Sequence, residues 1–200
     1  MNTNANRNKQ PSDELPIKII IIGDLGVGKT SLIHKYCEYS GEVKELNYKS
    51  LIFQNRKLKL VLPDTCGGEQ MATLTSAVYQ NASACVFVYD ITKNDSLLSL
   101  QNWIGELRRY GPDKGNVPKF LCGNKTDLES QINENDFKDF LSKNPMKDFK
   151  ISVQNGEGID TMFNTILPEA IEQSIKQLKA KGKPIPPPIK EKKSGKCALL

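Results

Sequence analysis

The chain has 200 residues, 38% of them hydrophobic, and carries 28 basic against 23 acidic residues for a formal net charge of +5, which suits one domain with a tail. Eight lysines but only one acid, Glu191, lie from Lys176 onward; the remaining 20 basic and 22 acidic residues net −2, which argues against a nucleic-acid-binding body. The five cysteines (Cys37, Cys66, Cys85, Cys122, Cys197) have no close C-x-x-C spacing, which argues against a zinc site or disulfide framework, and no apolar run is long enough to span a membrane.

Residues 1–15 read as a polar, disordered leader, and the body as a domain over 16–179. The first strand, Ile17–Ile22, runs straight into Gly23-Asp24-Leu25-Gly26-Val27-Gly28-Lys29-Thr30, and the amphipathic stretch from Ser31 follows. This is G-x-x-x-x-G-K-[ST] between a strand and a helix, the pattern of a phosphate-binding loop. Its glycines let backbone N–H groups approach an anion, at a helix N-terminus whose dipole favours negative charge. Lys29 is expected on the β- and γ-phosphates, and the Thr30 hydroxyl on Mg²⁺.

Two strands, Lys49–Phe53 and Leu58–Leu62, flank a short polar link at 54–57 and read as a hairpin. Asp64-Thr65-Cys66-Gly67 follows; a carboxylate there can hold Mg²⁺ through water, and the Gly67 N–H can meet the γ-phosphate. After a strand at Ala84–Asp90, Asn94, Asp95 or Ser96 offers a helix cap, and Leu97, Leu100, Ile104 and Leu107 recur at helical spacing. Trp103 beside that stripe reads as packing, and Cys85 and Cys122 as core. The strand Pro118–Gly123 leads to Asn124-Lys125-Thr126-Asp127, and the strand Phe149–Ser152 ends at Ser152-Val153-Gln154. A carboxylate at Asp127 that accepts from both N1 and N2 of guanine would reject adenine, while a backbone N–H of Ser152-Val153-Gln154 could meet the guanine O6. Ile159, Phe163, Ile166 and Ala170 mark a last helix that Pro168 is expected to kink. The alternation defines an α/β P-loop three-layer sandwich, a six-stranded, mostly parallel sheet with helices on both faces, with ligands outside the carboxyl ends of the strands.

With these motifs in place the chain resembles a Ras-superfamily small GTPase, most closely the Rab branch, from about Ile17 to Leu178. The branch likeness lies in GDLGVGKTS at 23–31, TLTSAVYQNASACVFVYDIT at 73–92 and NW at 102–103. The resemblance implies that Asn124 and Asp127 read guanine, that Lys125 braces the base and its loop, and that Thr30 holds Mg²⁺. It implies GTP or GDP as ligand, Mg²⁺ as cofactor, and exchange factors, effectors and a prenyl-binding chaperone as partners of a monomer.

The chain also departs from that pattern. Gly68 stands where the family has the Gln that orients the attacking water, so no catalytic residue is assigned. Leu25 replaces a small residue, and a bulky side chain there crowds the γ-phosphate and an incoming arginine finger. The first switch is short and lacks the T-I-G motif, with Ser40-Gly41 its nearest relic; Tyr39 is a candidate to stack on the base. Pro63 replaces a Trp that faces effectors, whereas Tyr79 matches another such aromatic, and Gln154 replaces the usual Lys. Slow hydrolysis is therefore expected; the alternative is a non-cycling, GTP-bound module. An ATP-using enzyme is disfavoured by Asp127.

The tail, 180–200, reads as flexible, Pro-rich from Pro184 to Pro188, and polybasic through Lys190, Lys192, Lys193 and Lys196. Cys197-Ala198-Leu199-Leu200 is a C-a-a-X ending whose final Leu favours geranylgeranyl at Cys197. One lipid chain with a basic patch supplies the two signals of a stable anchor, which places the protein on the cytoplasmic face of a membrane.

Overall fold

The structure, a computed structural model, describes residues 13–37, 46–65 and 76–189. Its strands are β1 (Leu15–Ile22), β2 (Leu46–Phe53), β3 (Arg56–Pro63), β4 (Ala84–Asp90), β5 (Lys119–Asn124) and β6 (Lys147–Lys150). The helices are α1 (Lys29–Cys37), a single turn α2 (Ser76–Tyr79), α3 (Asn94–Leu98), α4 (Leu100–Tyr110), α5 (Glu134–Lys143) and α6 (Ile159–Ala180). The six strands lie in the order β2-β3-β1-β4-β5-β6, parallel except for the antiparallel β2–β3 pair.

The sheet's inner strands read as apolar runs because both faces are covered. In β1, Ile17, Ile19 and Ile21 face a cluster built with α1 and α6, and Ile20 and Ile22 a second cluster with α4 and α5. Burying each such side chain contributes about 1.5–3 kcal/mol. The stripe residues Leu97, Leu100, Ile104 and Leu107 are all buried, as are Ile159, Phe163, Ile166 and Ala170, and Cys85 and Cys122 lie in the core.

The local differences from expectation have physical causes. The hairpin turn is only Gln54-Asn55, both at positive φ (46° and 57°), a two-residue turn whose twist matches that of the strands; Arg56 and Lys57 already belong to β3. None of Asn94, Asp95 and Ser96 caps α3: the N-cap is Lys93, without a side-chain bond. Ser96 Oγ instead donates to the Asp90 and Lys93 carbonyls and accepts from the Asp90 N–H, while Asn94 Oδ1 accepts from the Asn133 N–H. The last strand, expected at 149–152, is β6 at Lys147–Lys150; Ile151 and Ser152 are fully buried as loop beyond it. Helix α6 is a 22-residue element with Pro168 inside it, as expected. Tyr79, matched above to an effector-facing aromatic, is buried instead, and its hydroxyl donates to Glu106 at 2.7 Å. Burial first, and that bond to a carboxylate second, push the Tyr79 phenol well above its ordinary range.

The tail does not leave the domain at once. The Ile189 N–H donates to the Asn55 carbonyl at 2.6 Å, and Arg56 Nη1 to the Pro186 carbonyl at 3.0 Å, so the Pro-rich linker is held on the hairpin tip.

Candidate functional site

All the loops of interest leave the carboxyl ends of strands. Gly23 follows β1, Asp64 follows β3, Asp90 ends β4, Asn124 ends β5 and Ser152 follows β6. The 23–30 loop turns tightly through Gly26 (φ 78°) and Gly28 (φ 101°). A Cβ at Gly28 would come within 2.3 Å of Asn124 Nδ2, so glycine there is required by the approach of the base-side loop. A Cβ at Gly26 would meet nothing within 4 Å; at that position the positive φ is what favours glycine.

Lys29 is 5% exposed, and its Nζ donates to the Asp24 carbonyl at 2.6 Å, which aligns the ammonium with the loop that would cradle phosphates. Thr30 Oγ1 donates to Asp64 Oδ1 at 3.0 Å, so the two expected Mg²⁺ residues, from different strands' ends, share one place. A hydroxyl and a carboxylate are hard oxygen donors, and Mg²⁺ takes few protein ligands, completing its shell with phosphate and water; the donor set fits. Thr65, buried, holds this loop by donating from Oγ1 to the Ile21 carbonyl at 2.7 Å.

The base side is built around Asn124, 2% exposed. Its Nδ2 donates to the Val27 carbonyl at 2.8 Å and its Oδ1 accepts from the Val153 N–H at 3.1 Å, so one amide joins the phosphate loop to the loop after β6. Of the backbone N–H groups of Ser152-Val153-Gln154 offered to guanine O6, that of Val153 is engaged by Asn124 in this structure. Ser152 Oγ donates to Asp127 Oδ1, fixing one carboxylate oxygen. Lys125 sits at φ 73°, a left-handed conformation costing about 1–2 kcal/mol for a residue with a side chain. It is held there by the Asp90 carboxylate at 2.6 Å and by the Thr126 N–H on the Ile151 carbonyl at 3.1 Å. Burial raises the Asp90 carboxyl, but its bonds from Lys125 and Thr92 outweigh this and keep it below the usual carboxylate range. Gly26, Gly28, Ser31, Asn124, Asp127, Leu128, Val153 and Gln154 are among the residues enclosing a cavity of about 320 Å³ here.

One support was not readable from the sequence. Both oxygens of the Asp24 carboxylate are bound: Oδ1 accepts from Trp103 Nε1 at 2.9 Å and Oδ2 from Ser99 Oγ at 2.6 Å. Trp103 does pack against the core, but its ring N–H also anchors the phosphate loop to α4. Asp90 was likewise missed, although its place at the end of β4 marks it. A hydrogen bond to a charged group is worth about 1.5–3 kcal/mol. Trp103→Phe is therefore expected to lower the stability of the nucleotide-bound protein by about 1–2 kcal/mol and to speed GDP release several-fold, read by thermal melting and by release of a fluorescent GDP analogue. An unchanged release rate would remove Trp103 from the support of the site. Gly67, Gly68, Tyr39, Ser40, Gly41 and Cys197 lie outside the described residues.

This arrangement defines a nucleotide-binding P-loop domain with a second, base-contacting set of loops. A family model described as the Ras family matches residues 18–172. The chain is similar to the Ras-related protein Rab-1D of Dictyostelium discoideum, 31% identical over 195 residues, covering 93% of this chain and 94% of that one. It is similar also to the Ras-related protein Rab11C of Nicotiana tabacum, 34% identical over 161 residues (76% and 72% covered). Against the Ras-related protein Rab-22A of Homo sapiens it is 31% identical over 156 residues (74% and 79%). The chain belongs to the Ras family of small GTPases, in its Rab-like branch. Membership carries with it guanine-nucleotide binding.

Proposed function

We propose that this protein is a GTP-binding switch of vesicle transport, anchored by a lipid on Cys197 to the cytoplasmic face of a membrane, that hydrolyses GTP slowly. The observation that carries the reading is the Asn124 amide, which ties Val27 of the phosphate loop to Val153 of the base loop beside Asp127. In this reading the backbone from Gly23 to Ser31 and the Lys29 ammonium hold the phosphates, with the Gly67 N–H on the γ-phosphate. Thr30 directly and Asp64 through water hold Mg²⁺, which supplies charge neutralisation between the phosphates. Asp127 selects guanine, Lys125 flanks the base, and Ser152 and Gln154 complete its pocket. Exchange factor, effector and prenyl-binding chaperone are the partners of this cycle.

A second reading, a non-cycling GTP-bound module, is favoured by Leu25. It is 61% exposed in the phosphate loop, so its bulk stands on the surface that an activating protein must reach. The nucleotide that co-purifies with the protein separates the two: GDP supports the switch, and GTP retained without turnover supports the module. The anchor has its own test. Cys197→Ser is expected to move the protein from membrane to soluble fractions of cells, and unchanged fractionation would refute the lipid.

A further inference from the structure

The β2–β3 hairpin carries a charge pattern that nucleotide binding does not use. From Leu46 to Pro63 it holds Lys49, Arg56, Lys57 and Lys59 and no acid. The alternation of β3 turns Leu58, Leu60 and Leu62 into the core and leaves Lys57 and Lys59 exposed. On β2, Tyr48 and Ile52 are 50% and 66% exposed, although both are large and apolar. Ile52 pairs with Lys57, and Lys59 Nζ lies 5.3 Å from the centre of the Tyr48 ring, so the four share the outward face. The linker from α6 ends on the tip of this same hairpin, through the Ile189–Asn55 and Arg56–Pro186 bonds.

We infer that the outward face of the β2–β3 hairpin is a second membrane contact, which lies flat on an anionic lipid surface. Three features fix that occupant. The face is basic and acid-free, so it complements phospholipid headgroups, each lysine near such a surface contributing about 1 kcal/mol. An exposed aliphatic and an aromatic side chain among lysines suit the headgroup boundary, where apolar bodies enter and ammonium groups stay wet. Chain length does the rest: Cys197 lies eight positions beyond Ile189, a reach of about 28 Å at most, and Lys190, Lys192, Lys193 and Lys196 lie within that span. The docked linker therefore starts the basic tail from the tip of this same hairpin. The nucleotide site, at the ends of β1 and β3 away from the hairpin turn, is left to one side of the contact.

This inference rests on the membrane reading above, and full-length protein without its lipid separates the two. Its binding to neutral phosphatidylcholine vesicles and to vesicles with about 30 mol % phosphatidylserine is measured by co-sedimentation. The wild type is expected to prefer the anionic vesicles, and Lys57→Glu with Lys59→Glu to weaken that binding at least about tenfold with GDP affinity unchanged. Wild-type binding by the double variant would overturn the hairpin contact and leave attachment to the tail alone, with Cys197 untouched by the result. Ile52→Trp gives an independent reading: quenching of the added tryptophan by brominated acyl chains, beyond that of Trp103 alone, is expected, and its absence would equally overturn the contact.

Discussion

Asp127→Asn is expected to lower affinity for GDP by about 10⁴-fold while creating affinity for the xanthine nucleotide. The argument is one of donors and acceptors. A carboxylate accepts at both oxygens, and guanine offers donors at both N1 and N2. One Asp127 oxygen already accepts from the buried Ser152 hydroxyl, which fixes the plane of the group. An amide in its place accepts at one atom only and turns an N–H toward the guanine N2 donor, leaving both unpaired. Xanthine carries a carbonyl at that position and restores the match. Competition of GDP and XDP against a fluorescent analogue measures both effects. A variant that keeps GDP affinity within about tenfold of the wild type, a loss of no more than 1.4 kcal/mol, would show that Asp127 does not read the base.

The second large effect is an absence. An arginine finger from an activating protein accelerates this class of hydrolysis by about 10³–10⁵, or roughly 4–7 kcal/mol of barrier. On the proposed reading Leu25 would stand in its path, and Gly68 would offer no side chain with which to orient the attacking water. Single-turnover measurements are expected to show very slow GTP loss, with stimulation by an activating protein below about tenfold. Leu25→Gly combined with Gly68→Gln should raise the stimulated rate by about 10² or more, since a positioned side chain at the attacking water is worth that much. Wild-type turnover comparable to that of ordinary family members would sink the proposal. So would a double variant with unchanged rates, because the barrier would then lie elsewhere.

Much of the architecture was legible because burial on both faces makes β1 and β4 continuous apolar runs, and β4 falls where the pattern put it, at Ala84–Asp90. Strand β6 was misjudged by two residues for the converse reason. It lies at the sheet's edge with the polar sequence Lys-Asp-Phe-Lys, whereas the buried Ile151 and Ser152 serve the base loop. The loops that carry the candidate site residues were legible because they follow their strands directly. Their supports were not: Asp24 and Trp103 are 79 positions apart, and only tertiary packing brings them together. The cap at α3 failed because Ser96 and Asn94 find better partners in Asp90 and Asn133 than in their own helix.

The Asn124 amide has a kinetic consequence. Its two bonds, to Val27 and to Val153, place a single side chain in series between the phosphate end and the base end of the pocket. Distortion of either loop is expected to strain the same amide, so that grip on the two halves of a bound nucleotide would be lost together. A regulator that distorts the phosphate side is therefore expected to disturb the base loop as well.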